Sequence, residues 1–121
     1  MKLIFNVLFI VLSQIMYAQI CDVKQIENLL EKEQFALVYS ICDAYQDCES
    51  ASDDNMEWIQ YQQSRCALEL FNDEAAMRFE DYLSDYPYGK FRNKSYLALS
   101  QIYFRNKEYD KAIAKLNMVD V

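Results

Sequence analysis

The sequence predicts an all-α domain, a series of helices stacked one on the next. Three observations predict it. The 121 residues hold one Gly and one Pro, too few breakers for an all-β sandwich with turn residues roughly every 8–12 positions. Beyond Gln19 the apolar residues recur at helical spacing and not in alternation. Two of the helical segments are apolar on more than one face, which suits a helix wedged between neighbours better than a surface helix with one stripe.

The first eighteen residues stand apart from this fold. Lys2 forms a short positive region, and Leu3 to Met16 is apolar save for Asn6, Ser13 and Gln14. Ala18 then offers a small residue at a cleavage point before Gln19. This is the layout of a secretory signal peptide over 1–18. The run falls short of the ~20 residues a spanning helix needs, so an uncleaved anchor is the weaker reading. Lipidation at Cys21 is weaker still, because Ile20 stands where a small residue is normal.

From Gln19 on, the elements follow in order. Ile26, Leu29 and Leu30 mark a first, rather polar helix; Phe35, Val38, Ile41, Cys42 and Tyr45 mark a second. Ser52, Asp53 and Asp54 can cap the third, which carries Met56, Ile59, Cys66, Leu70 and Phe71. Trp58, Tyr61, Ala67 and Leu68 give that helix its second apolar face. After the turn at Asn72 and Asp73, with Asp73 as candidate cap, the fourth helix carries Ala75, Ala76, Phe79, Tyr82 and Leu83. The segment Asp85-Tyr-Pro-Tyr-Gly89 is a strong stop, with Tyr86 and Tyr88 expected to pack at the turn. Tyr96, Leu99, Ile102, Tyr103 and Phe104 mark the fifth helix, and Leu97 and Ala98 widen its apolar surface. Tyr109, Ala112, Ile113, Leu116 and Val119 mark the sixth.

These segments repeat. Val38, Ala75 and Ala112 are 37 residues apart, and nine positions before each lie Leu29, Cys66 and Tyr103. Ala75, Phe79, Tyr82 and Pro87 share their spacing with Val38, Cys42, Tyr45 and Ser50. A fixed period of this length is the signature of a solenoid.

The pattern resembles the tetratricopeptide repeat. Tyr96, Leu99, Ser100, Tyr103, Tyr109, Ala112 and Leu116 fall where that family has its aromatic, Leu, Gly, Tyr, aromatic, Ala and aromatic positions. The middle unit keeps Ala75, Phe79 and Pro87 but has Gln62 and Gln63 for Leu and Gly; the first has Val38 for Ala and Ser50 for Pro. The resemblance implies antiparallel helix pairs stacked as a right-handed α-solenoid of about three units, roughly 19–52, 56–89 and 93–121, within a domain over 19–121. The string FEDYLSDYPYGKFRNKSYLALSQIYFRNKEYDKAI is similar to exported tetratricopeptide proteins of the bacterial cell envelope, among them those of outer-membrane assembly and the Tol–Pal system. That likeness implies a periplasmic or outer-membrane-associated location.

Composition bears on the chemistry. There is no His, which excludes Ser–His and Cys–His nucleophile pairs, and a single Gly leaves no phosphate-cradling loop. Acid pairs such as Asp53 with Glu57, or Glu80 with Asp81, read as solvated helix faces. No enzymatic activity, cofactor, metal or small-molecule substrate is expected. Without residues 1–18 the net charge of −7 becomes −8, which disfavours nucleic acid and anionic lipid. Membrane contact would come only through an uncleaved signal or a partner. Four cysteines, Cys21, Cys42, Cys48 and Cys66, allow three complete pairings. Cys42 and Cys66, on apolar faces, read as buried thiols.

The resemblance implies a non-catalytic scaffold that takes a protein or peptide partner, such as an envelope protein, in its concave groove. The groove positions would be Glu57, Gln60, Ser64, Lys94, Gln101 and Arg105, with Lys94 and Arg105 suited to clamp carboxylates. Met118, Val119 and Val121 keep the C-terminal end apolar, where a stack needs a polar cap. The expectation is an array that continues past residue 121 as a segment of a longer protein, or one that pairs through this end.

Overall fold

The computed structural model describes residues 2–20, 22–48 and 52–120, with the backbone alone for 13–20. Seven helices account for the described chain: α1 Lys2–Ile20, α2 Val23–Glu31, α3 Phe35–Tyr45, α4 Asp53–Glu69, α5 Ala75–Asp85, α6 Arg92–Arg105 and α7 Tyr109–Leu116. No strand occurs among the described residues, so the chain is all-α. Helices α2 to α7 are the six expected from periodicity. The last stops at Leu116, which leaves Val119 half-buried in the turn beyond it.

From α2 on, each helix packs against its neighbours in sequence. Cross-helix pairs give the directions. Glu57 meets Tyr82 and Gln63 meets Arg78, so α4 and α5 are antiparallel. Lys111 lies over Tyr103 and Lys115 over Tyr96, so α6 and α7 are too. The core falls into two clusters that meet at α4. Ile59 and Cys66 of α4 pack with Ile26, Val38, Cys42, Tyr45 and Cys48. Tyr61 and Ala67, on its other side, pack with Ala75, Phe79, Tyr82, Leu83, Leu99 and Ile102. This is why α4 needs two apolar faces.

Capping follows the sequence in part. Ser52 accepts from the Asn55 amide at 3.2 Å, as its position suggests. At α5 the side chain that takes up a free amide is Asn72, bonded to the Glu74 N–H at 2.8 Å, and not Asp73. Tyr86 lies against Tyr82, with ring centroids 5.5 Å apart. Tyr88 departs from expectation: it is 94% exposed and packs on nothing at the turn.

One backbone device occurs three times among the described residues. Glu33, Phe71 and Lys107 have φ of 56°, 53° and 64°, and each follows the first helix of a pair. In each case the next amide reaches back five residues, Gln34 to Leu29, Asn72 to Ala67 and Glu108 to Tyr103. The left-handed residue itself bonds three back, to Leu30, Leu68 and Phe104. This is a Schellman turn, which satisfies the last carbonyls of the helix and normally uses Gly at the left-handed position. A side chain there costs about 1 kcal/mol. Lys107→Gly and Glu33→Gly should therefore each raise stability by roughly 0.5–1 kcal/mol in denaturant titrations. Phe71→Gly tests the same cost but also removes the ring under Arg105.

Cys42 and Cys66 are buried free thiols. Cys48 is disulfide-bonded, and Cys21 lies outside the described residues. Burial pushes the Cys42 and Cys66 thiols up from 9.0 to about 12 and about 11. Burial and the Glu80 carboxylate raise the Tyr103 hydroxyl to about 12. The folded state thus holds protons that the unfolded chain sheds above pH 9, and stability is full below that pH. It should fall as pH rises towards 11–12, by on the order of 3 kcal/mol at pH 11. Urea titrations at pH 8 and pH 11 measure the difference.

Candidate functional site

The six residues expected to line one groove do not form one surface. Those on α6, Lys94, Gln101 and Arg105, are exposed. Of those on α4, Glu57 and Ser64 are buried and Gln60 is half-buried. Ser64 donates to the Gln60 carbonyl at 2.9 Å, and the Gln60 amide donates to Asp85 Oδ2 at 2.9 Å. The physical reason is that α4 is the central helix, wedged between α3 and α5, so its polar positions serve the interior. Arg105 is not an open clamp either: its guanidinium lies 5.2 Å from the centre of the Phe71 ring.

Glu57 anchors the connection between α5 and α6. Its Oε1 accepts from the Tyr82 hydroxyl at 3.0 Å and from the Lys90 amide at 2.9 Å. The Tyr82 hydroxyl in turn accepts from the Phe91 amide at 3.0 Å. Burial raises the Tyr82 hydroxyl above its ordinary range; the Phe91 amide opposes that, and Glu57 adds to it. A buried carboxylate and phenol thus satisfy two loop amides that no helix reaches. Phe91, held this way, stacks on Tyr61 with centroids 4.2 Å apart. The arrangement is structural.

A second polar centre joins α3, α4 and α5. Arg78 donates through Nε to the Tyr39 hydroxyl at 3.2 Å and through Nη1 to Gln63 Oε1 at 3.3 Å. Its Nη2 lies 3.9 Å from Asp43 and 3.6 Å from Glu74. Gln63 donates to Asp43 at 2.6 Å and to the Tyr39 carbonyl at 3.1 Å. Gln63 and Arg78 also border a polar cavity of about 300 Å³, closed on one side by Gln60 and Asp85. Gln60, Gln63, Arg78 and Asp85 are thus engaged within the protein, and Gln46, Met56, Asp81 and Ser84 complete the lining.

The third feature is apolar. Gln101 and Phe104 of α6 and Tyr109, Ala112, Ile113 and Leu116 of α7 border a trough of about 380 Å³. Phe104 is 65% exposed, Ile113 57%, Leu116 52% and Tyr109 51%. The position 37 residues earlier is occupied in turn by Ser64, Ala67, Asn72, Ala75, Ala76 and Phe79, and all six are buried or half-buried. Ala67, Ala75 and Phe79 lie in the cluster completed by Leu99 and Ile102 of α6. The same face that α6 covers in one unit is therefore open in the next. None of the trough residues save Gln101 is in the expected groove. The signal for them is the second apolar face of the fifth helix, where Leu97 and Phe104 stay exposed and Phe104 meets only the edge of the Tyr109 ring at 5.3 Å among the ring contacts of the described residues.

The raised thiols of Cys42 and Cys66 keep them protonated and inert at neutral pH. Among the described residues no group of three or more Cys, Asp or Glu is placed to hold a metal ion, and no helix is long and apolar enough to cross a membrane. No family model, curated protein or solved structure matches the chain.

Proposed function

We propose that the chain is a tetratricopeptide-like α-solenoid of about three units that serves as a non-catalytic, protein-binding scaffold exported to the bacterial cell envelope. The observation that carries the repeat is the Schellman turn at Glu33, Phe71 and Lys107, each joining the two helices of a pair. The turns fall 38 and 36 residues apart and the buried anchors Val38, Ala75 and Ala112 fall 37 apart, so backbone and side chains recur at nearly the same interval. Such stacks present extended faces and few enclosed sites, which suits partner binding. Two features support export. The disulfide at Cys48 fits an oxidising compartment. Every side chain from Lys2 to Leu12 in α1 is exposed, so loss of that segment would remove little of the core.

On this reading the partner meets the exposed side of α6, which carries Lys94, Gln101 and Arg105, the last resting over the Phe71 ring. Pull-down with the tagged full-length chain from an envelope fraction tests it. A partner retained by the parent should be lost on Lys94→Glu with Arg105→Glu. Recovery unchanged by that pair would refute the groove. A second reading, a structural segment of a longer repeat protein, draws on the open trough at α6 and α7, where a further helix of the same array would pack.

A further inference from the structure

Helix α2 is lightly held. Of its nine residues only Ile26 is buried, while Lys24, Gln25, Glu27, Asn28 and Glu31 are all exposed. A helix this short is not stable by itself in water, and it packs chiefly on α3. Ile26 belongs to the cluster that also holds Val38, Cys42, Tyr45 and Cys48. One apolar side chain is a thin attachment for the first element of a stack.

The cysteines supply another. Of the four in the chain, Cys42 and Cys66 are free and fully buried. Burial keeps both thiols protonated at neutral pH, so neither competes in disulfide exchange. Cys48 is disulfide-bonded and 7% exposed, which leaves Cys21 as its partner within the chain. Cys48 lies three residues past the end of α3, with its amide bonded to the Tyr45 carbonyl at 3.0 Å. Cys21 directly precedes Asp22, which caps α2 by accepting from the Lys24 amide at 3.0 Å. A bond between them closes a ring of 28 residues that contains α2, the turn at Glu33 and α3, and no other helix.

We infer that Cys48 is bonded to Cys21 and that this bond is a redox-controlled clasp on the first helix pair, closed only in an oxidising compartment. Closing it takes one hydrogen from each thiol. The two protons and two electrons pass to an oxidised disulfide carrier, which leaves as a dithiol. Ring closure restricts the open chain more than the packed one, so the clasp favours α2 in place. In a reducing cytosol the pair lacks the clasp and opens readily, while α4 to α7 keep their own cluster. The pairing stands without the export reading; only the moment of closure rests on it.

The test uses the full chain. Free thiols are alkylated in denaturant without reductant, and cleavage after Lys, Arg and Asp puts each cysteine on its own peptide. Mass mapping should join the peptide of Cys21 to that of Cys48, with alkyl groups on Cys42 and Cys66. Reduction with dithiothreitol should then speed hydrogen exchange of the α2 amides about a hundredfold, while α5 to α7 keep their protection. Cys21→Ser leaves Cys48 and its buried neighbours in place; it should reproduce that rise and gain nothing more from reductant. A bond from Cys48 to Cys42 or Cys66, a bond between two copies, or α2 exchange that reductant leaves unchanged would overturn the inference. A Cys21–Cys48 bond that forms with oxidised glutathione, in a chain recovered fully reduced from its own cells, would support the clasp and sink the export reading.

Discussion

Phe79→Ala should lower the melting temperature by roughly 12–20 °C, while Leu116→Ala, at the matching position 37 residues on, should change it by only a few degrees. Phe79 is fully buried and lies edge-on to Tyr61 at 6.3 Å. Its truncation opens a cavity against α6 and costs about 3–5 kcal/mol. Leu116 keeps about half its surface in water, so its loss should cost within about 1 kcal/mol. The contrast measures what covering a helix pair contributes, since the two side chains differ chiefly in whether a following helix is present. Calorimetric scans of both variants against the parent give the answer. Equal losses would mean that the α6–α7 end is not open.

Gly89→Ala is the second large effect. The φ of Gly89 is not positive, so conformational freedom is not the reason for this glycine. Space is. An added methyl would press into the Glu57 carboxylate and the Tyr82 hydroxyl, and would sit 2.9 Å from Tyr86 Cβ. Relief requires Glu57 or Tyr82 to move, and then the amides of Lys90 and Phe91 lose their acceptors. The expected cost is about 2–4 kcal/mol by urea denaturation. Tyr82→Phe alone should cost about 1–3 kcal/mol. In combination with Gly89→Ala it should add less than its full amount, because both act on one network. Full additivity would show that the methyl is accommodated without disturbing Glu57.

The helices were legible in the sequence because periodicity is set by burial, and burial here is simple. Val38, Cys42 and Tyr45, or Ala75, Phe79 and Tyr82, are buried as their spacing requires. The three recurring turns were not legible, because Glu33, Phe71 and Lys107 stand where Gly would have marked a left-handed residue. The single Gly that is present marks a crowded contact. Glu57 and Ser64 were misplaced for a related reason. An acid or a Ser between helical apolar residues reads as a solvent face, and only a third element shows otherwise. For Glu57 that element is the 86–91 connection, whose amides need a carboxylate. Gln63 is similar: it stands where a Gly was looked for, and it works as the donor that ties Asp43 and Tyr39 to α4. The apolar C-terminal end was visible as composition at Met118 and Val119. Its shape, a trough between α6 and α7, depends on which sides of Phe104 and Ile113 the neighbouring helices leave uncovered.

Site-specific photocrosslinking tests the central claim most directly, that this stack exists to be covered by another protein. A photoreactive side chain replaces Ile113 at the open end or Asn28 on the exposed side of α2, in the full chain produced in its own cells. The account predicts an adduct with a different protein from position 113 and none from position 28. No adduct at position 113, or an adduct only with a second copy of this chain, would contradict it.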